Sequence, residues 1–423
     1  MGEVEGSGDA GSFTPGGMTC TRSSPVVSLQ GQPTCTGRLA ASRFSSALCL
    51  CNNLQLSGGL TTRGFASSQG PYQEGLSANS GAPVGINGTF GSLSGSVDIA
   101  GSLSVAGSQA QQVLGSLLVW GDLRMGGALT VAGATTVARD AWLASDFVGI
   151  GPLTIAAELH HAGNVSALPL LARNNLPESF TVPPPCACGA SDLLDVVGLV
   201  NAAKSDNDNK SLGVRADVLA NVTGPREWTL PCGRVYLSQI AGTGDLAIRL
   251  SGSSALFVDG SITLQGKLTF LPSAGAELDV FVKDTVAVQG PLALADNTRP
   301  AAGRISVAGS QTITLASPFI GNLYAPKARV KTAGSFEVWG SLFASDLQGD
   351  ASGDLIFDRD IVAVGTDCTA PLPPAGLCTQ CGWCYGGDAC IRGVCTACTK
   401  DSECCGQSVC SNGRCAPLMV VIK

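Results

Sequence analysis

The sequence predicts an all-β protein: two consecutive parallel β-solenoid (β-helix) regions joined by a short helix, with a small disulfide-rich C-terminal module. Three observations predict it. A six-residue beat runs from Gly95 to Ala162, a looser period-two alternation runs from about Trp228 to Val362, and eighteen cysteines are present, ten of them crowded between Cys378 and Cys415. These divide the chain into a Gly/Ser-rich, Cys-containing segment (1–48), a hexapeptide-like solenoid (49–188), a helical linker (189–227), a second β-helix domain (228–367) and a stapled module (368–423).

In sixes the first region reads GSVDIA, GSLSVA, an eight-residue interruption, then GSLLVW, GDLRMG, GALTVA, GATTVA, RDAWLA, SDFVGI, GPLTIA and AELHHA. Positions three and five are apolar almost throughout, as in Leu117 and Val119 or Leu129 and Val131. Residues two apart in an extended chain point the same way. Each hexad therefore supplies a short strand with two inward side chains and a small residue at the corner. One hexad buries too little to offset its ordering entropy, so the units must stack. Three hexads per coil from about Gly85 to Gly163 give about four coils, a rod on the order of 20 Å long at about 4.8 Å per strand. An amphipathic helix would need apolar residues at three- and four-residue spacing and few glycines.

Composition agrees. Only 13% of residues are charged and 55 are glycine, which suits tightly turned β structure. A net charge of -7 without a basic cluster argues against nucleic acid and anionic membrane as partners. No run of 18 apolar residues occurs, so no transmembrane helix is expected.

An even count of cysteines fits full pairing in an oxidising compartment, and the expected location is extracellular or the outer surface of a Gram-negative bacterium. Met1 to Gly17 has neither a charged n-region nor an apolar h-region, and GMTC at Cys20 lacks the apolar residue of a lipoprotein signal; a processed or truncated form is expected, with non-classical export as the alternative. In the tail, CYGGDACIRGVC (Cys384, Cys390, Cys395) is echoed by CGQSVCSNGRC (Cys405, Cys410, Cys415), a tandem unit too short for an apolar core. Cys378, Cys381 and Cys384, and Cys395 with Cys398, also have zinc-ligand spacing. Adjacent Cys404 and Cys405 and the lack of nearby His favour disulfides, and no metal or cofactor is expected. Of the other cysteines, the CxC pairs Cys49/Cys51 and Cys186/Cys188 flank the hexads. Residues of a CxC in extended chain face one way, so these pairs are expected to cross-link and tie the N-terminal segment to the far end of the first solenoid. Cys20 is expected to join Cys35, and Cys232 to join Cys368.

Pro183 to Pro185 end the first unit, and Ser191 is placed to cap a helix over Asp192–Lys204 with Leu193, Val196, Val197 and Val200 on one face. The loop 205–211 holds Asp206 and Asp208 but lacks the glycine and glutamate of an EF-hand, so it reads as solvated. The second β region then repeats the hexad design in segments such as VDGSITLQGKL and KDTVAVQGPL, with a longer and less regular coil.

The run GNLYAPKARVKTAGSFEVWGSLFASDLQGDASGDLIFDRDI, Gly321 to Ile361, resembles the closing coils of a β-helical domain of unknown function found in bacterial surface and pilus-associated proteins: an N-x-YAP segment, a V-x-G-x-hydrophobic segment and a final acidic strand. ALFVDGSI and ELDVFV resemble the same domain. With the CxC, the hexads and the Cys-rich tail, the architecture is similar to uncharacterised secreted or lipid-anchored proteins of myxobacterial type. The hexads also resemble bactofilins, which polymerise end to end, although bactofilins are cytosolic and lack cysteine-rich modules. The resemblance implies no catalytic residue.

The chemistry-bearing residues are few. His160 and His161 are adjacent and face opposite sides of a strand, which suits a capping role. Asp346, Asp350, Asp354, Asp358 and Asp360 form the best carboxylate group. Asp358 and Asp360 have the spacing for a pair or a calcium site, and the expected role is a charged cap that keeps the last strand edge from pairing. No GxSxG, phosphate loop or HExxH occurs, so no enzyme is expected. Trp120, Trp142 and Trp339 are the candidate ligand contacts, suited to stacking on sugars or anchoring a protein, or to being covered by the N-terminal segment. The function expected is a non-enzymatic structural or adhesive component of the cell surface, with a surface glycan or protein as partner. The alternatives are a carbohydrate-binding or polysaccharide-degrading β-helix, whose Trp or Asp side chains would converge on a groove, and a bactofilin-like scaffold assembling through solenoid ends.

Overall fold

Each hexad forms one side of a triangular coil. Leu117–Val119, Leu123–Met125 and Leu129–Val131 are successive strands whose first and third side chains are buried while the middle one faces out. Thr135–Val137 then pairs in parallel with Leu117–Val119, so three hexads complete a turn. The structure, a computed structural model, describes residues 25–29, 32–75, 81–316, 318–364 and 398–400, and in the tail the strands Ala389–Ile391, Val394–Thr396, Ser408–Ser411 and Arg414–Pro417.

The first region is longer than the hexads suggest. Its coils run from Leu48–Leu50 to Asn174–Pro177 rather than from Gly85 to Gly163. At both ends the coils have sides of unequal length, which hides the beat while leaving the pairing intact. The interruption at 107–114 is no gap either. Gln111–Val113 is a strand between Ser92–Leu93 and Leu129–Val131, on a side two residues longer than its neighbours. The second region has the longer, irregular coil expected: the step between stacked residues grows from 20 (Arg226↔Leu246) to 22 (Leu246↔Leu268) and 24 (Leu268↔Leu292).

The two regions are stacked in the reverse of their chain order. Leu48–Leu50 pairs in parallel with Leu342–Ala344, Leu54–Leu56 with Leu347–Gly349, and Leu60–Phe65 with Gly353–Asp358. The first coil of the first region thus sits on the last coil of the second, and the result is one stack of about 14 turns, about 65 Å long at ~4.8 Å per turn. This corrects the expected role of the acidic strand. Gly353–Asp358 is not an edge to be blocked but the seam itself, because Leu60–Phe65 supplies the partner that a terminal coil would lack.

After Pro177 the chain returns along the outside as a strap. Cys186 bonds Cys49 and Cys188 bonds Cys51, with Cα separations of 5.8 and 5.6 Å. The CxC pairs therefore cross-link as expected, but they fasten the strap at the seam, not at the far end. Further on, the Leu194 N–H donates to the Tyr324 hydroxyl at 3.0 Å, and a helix crosses strands Gly233–Leu237, Ser254–Val258 and Leu278–Val282. That helix is Val196–Ser205, shorter than predicted. Asp195, not Ser191, caps it by accepting from the Gly198 N–H at 2.8 Å, and a turn at 190–192, closed by the Asp192 N–H donating to Gly189 O at 2.8 Å, leads Leu194 to the sheet. The strap ends by closing the bottom coil: Ser238 N–H donates to Ala216 O, Ala241 N–H to Leu219 O, and Val222 bridges Gly242.

The hairpin Val26–Leu29 and Gln32–Cys35 packs beside the strap helix, and helix Thr36–Arg43 packs on 359–362. In the tail two antiparallel hairpins set Cys390 opposite Cys395 and Cys410 opposite Cys415, a tandem arrangement matching the repeated cysteine spacing.

Candidate functional site

Parallel stacking in register turns every outward position into a row. One row runs almost the length of the rod: Tyr236, Phe257, Phe281, Ser306, Tyr324, Phe343, Cys49, Gly85, Ser104, Arg124, Trp142, His160 and Leu176. Its lower part is aromatic and lies under the strap. Phe257 and Phe281 stack at 5.2 Å, and Tyr324 leans on Phe343 at 4.9 Å. Its upper part carries Trp142, which is not free to stack on a ligand. The Arg124 guanidinium, one rung below, sits 4.5 Å from the ring centroid, and the His160 ring, one rung above, lies 5.2 Å away and within 8° of parallel. Both faces of the indole are occupied. His160 in turn is flanked by Glu158 at 3.4 Å and by Glu178, while His161 turns to the Gly163 carbonyl at 2.7 Å.

A second face holds the other two tryptophans. Its outward positions step from Glu337 to Asp354, Thr61, Asp98 and Leu118, beside Trp339, Ile356 and Arg63. Trp339 donates to Glu337 and takes the edge of Tyr72 at 5.7 Å; Tyr72 also meets Phe65 at 5.9 Å. Trp339 is therefore covered by the loop after Phe65, not by the N-terminal hairpin. Trp120 is partly open, its Nε1 donating to Asp98 at 3.3 Å, and Asp98 pairs with Arg63 at 2.9 Å. The Asp354 carboxyl lies above its ordinary pKa, chiefly because surrounding protein displaces water; Arg63 opposes this, and Glu337, Glu74 and Asp98 add to it. Trp120 and Trp339 thus share a face several rungs apart, and Trp142 lies on another.

The remaining acidic residues satisfy backbone. Asp358 is buried and accepts from the N–H groups of Ser67, Asp360 and Ala301. Asp360 accepts from Ser67 and Ser68, Asp346 from Asn53 N–H at 3.2 Å, and Asp350 from Gly334 N–H at 2.6 Å. Burial pushes the Asp358 carboxyl up against those hydrogen bonds. Among the described residues no three His, Cys, Asp or Glu side chains are arranged to hold a metal ion. A groove of about 450 Å³ opens at the seam between Leu54–Leu56 and Ser92, lined by Asn53, Gln55, Ser57, Thr89, Ser92, Gln109 and Gln348 with Phe90. Its lining has no Trp and no carboxylate.

Two polar clusters went unread in the sequence. Arg304, buried, makes a bidentate pair with Asp279 at 2.7 Å, reaches Glu277 at 3.0 Å and donates to Ala301 O at 3.1 Å. Burial alone would lower its pKa; Asp279 and Glu277 outweigh that and hold it raised. Under the strap helix, Asp259 accepts from the Tyr236 hydroxyl and from Lys283, each at 2.7 Å, and from Lys204 at 3.3 Å. Lys283 and Tyr236 hold Asp259 down to about 2, and burial with this bond pushes Tyr236 up to about 12. The alternation of ELDVFV signals outward Asp279 and Phe281 but not the strap that covers them. Asp206 and Asp208, read as solvated, pair with Arg234 at 2.8 and 3.3 Å.

Cys35, Cys232 and Cys398 are disulfide-bonded. The expected partners Cys20 and Cys368 lie outside the described residues, as do Cys378, Cys381, Cys384, Cys404 and Cys405 with their zinc-like spacing. No helix among the described residues is long and apolar enough to cross a membrane. Residues 192–364 match a family model described as a domain of unknown function, DUF7305, a span that covers the lower part of the strap and the whole second region. No curated protein and no solved structure matches the chain.

Proposed function

We propose that the protein is a non-enzymatic structural or adhesive rod displayed outside the cell. The observation that carries this reading is the stapled continuous stack: about 14 turns joined end on end and strapped from top to bottom, with paired disulfides where the strap crosses the seam. Such bonds persist in oxidising surroundings, and a strap fastened along the rod favours a fixed shape over a moving one. The outward side chains support the same reading. Most of the titratable groups on the two tryptophan-bearing faces are paired with a neighbouring rung, as Arg63 is with Asp98 and His160 with Glu178, which makes them parts of the surface rather than reagents.

The test is protease treatment of intact source cells followed by mass spectrometry. Release of peptides from this rod, with cytosolic markers retained, is the expected result. Recovery of the protein from the cytosol with free thiols at Cys49, Cys51, Cys186 and Cys188 would overturn the reading.

A further inference from the structure

Three departures from the repeat meet at one place on the outside of the rod, the groove at the seam. The first is the join itself. Leu54–Leu56 pairs with Leu347–Gly349 below it and Ser92–Leu93 with Gln112–Val113 above, yet among the described residues these two middle strands do not pair with each other. The second is an extra residue: Leu54 N–H donates to Thr89 O and Leu60 N–H to Ser96 O, so six residues of the lower coil face seven of the upper. The surplus is taken up at Gly91, whose φ of 61° is left-handed. The third is the longer side that begins at residue 107, which carries Gln109 to the groove. An inward position is altered as well. Gln111 stands where the next coil has Leu129, and its Oε1 accepts the Phe90 N–H at 3.2 Å. A buried amide is costly; this one gives an acceptor to the bulged segment that lines the groove. Breaks in local rules that gather at one spot mark a functional site.

We propose that this groove binds an uncharged oligosaccharide. No charged side chain lines it; its polar groups are amides and hydroxyls. Gln55 and Gln348 stand in register on neighbouring rungs, about 4.8 Å apart, and Gln109 reaches the groove from the upper coil. Among the described residues no hydrogen bond within the protein engages the side-chain amides of these three. An amide both donates and accepts, as a sugar's hydroxyls do, whereas an anion finds no cation in the lining. An apolar ligand finds no platform, because Phe90 is only 3% exposed. A peptide strand does not fit between the walls: it needs about 9.6 Å between its neighbours, and Cα atoms of Leu54–Leu56 and Ser92–Leu93 come within 8 Å. The volume of about 450 Å³ lies within the range of about 300–1,000 Å³ usual for ligand sites. The proposal rests on the adhesive reading of the rod and gives that reading the class of its ligand.

Without a stacking ring the contact is weak, with a dissociation constant on the order of 1 mM. Saturation-transfer NMR of the full chain is run with maltohexaose, cellohexaose, laminarihexaose and mannohexaose, each at about 5 mM. Transfer to at least one of them is expected, unchanged when salt is raised, with none to trigalacturonate. Gln55→Ala with Gln348→Ala, both at outward positions, is expected to weaken that contact about tenfold or more. Ser92→Trp, which fills the groove from the opposite wall, is expected to abolish it, and Trp142→Ala on another face to leave it unchanged. No transfer to any of the hexasaccharides overturns the proposal. So does equal transfer to trigalacturonate or to an uncharged Gly-Ser peptide, or transfer indifferent to both groove variants. None of these results bears on where the protein resides, which the protease test reads separately.

Discussion

The half built by residues 48–177 and the half built by residues 226–358 share one parallel stack and differ in what lies outside it. In the upper half a strand such as Leu117–Val119 buries its two inward side chains and leaves the middle one toward solvent. In the lower half Ser254–Val258, Leu278–Val282 and Gly303–Val307 are buried throughout; the strap helix crosses the outer side of the first two, and in the third the Arg304 side chain is enclosed with Asp279, Glu277 and the Ala301 carbonyl. Covering a polar outward position removes its water, so every such group needs a protein partner. The regular half meets this requirement mostly by exposure, although Gln111 Nε2 and Thr135 Oγ1 are buried without a hydrogen-bond partner among the described residues; the covered half meets it with Arg304, Asp259 and the Asn322 amide, whose N–H groups donate to Pro300 O at 2.9 Å and Gly303 O at 3.0 Å while its Oδ1 is left without a partner among the described residues. Irregular coil length and buried charge go together because a repeat cannot supply unique partners.

That contrast fixes where substitutions should hurt. Arg304→Leu leaves Asp279 and Glu277 buried without their cation and is expected to cost about 3–5 kcal/mol, read as a lower denaturant midpoint. If it proved neutral, the covered half would owe nothing to its charge cluster. Cys186→Ser with Cys188→Ser frees the strap and is expected to cost about 2–4 kcal/mol, with protease cutting appearing first between residues 178 and 195. Cutting elsewhere first would place the weak point in the stack. Asp259 sharpens the comparison through pH. Its folded pKa of about 2 lies below the ordinary value of 3.8, so its contribution is complete above about pH 4 and is lost as pH falls toward 2, about 2 kcal/mol in all. Asp259→Asn should flatten that part of the stability profile, and an unchanged profile would assign the acid sensitivity elsewhere. In the uncovered half, Arg124→Ala removes only a surface cation from Trp142 and is expected to cost about 0.5–1 kcal/mol, visible as a shift in tryptophan fluorescence with little change in midpoint.

The hexads were legible because a period of six with apolar residues at three and five has few other physical solutions, and the CxC cross-link because two cysteines on one side of a strand need a shared partner strand. The seam was not legible. It joins Leu60–Phe65 to Gly353–Asp358, and the chain between them carries no local mark of where its ends will meet. For the same reason Asp358 read as an edge guard, although its carboxylate is an acceptor for three backbone N–H groups inside the stack. Trp142 was legible as outward, while its sandwich between Arg124 and His160 needs the rung register that only closed coils define.

The strap also acts as a ruler. Between Pro177 on the top coil and Cys186, which contacts Gly85 five rungs below, nine residues must cover about 24 Å of the roughly 30 Å they reach fully extended, and Pro183 to Pro185 keep them from coiling. One more coil would add about 4.8 Å and use up nearly all that slack, and two would exceed it. Duplication of hexads, the easiest way for a repeat protein to grow, is therefore checked in this chain by a segment outside the repeat, so that its length is inherited as a fixed count.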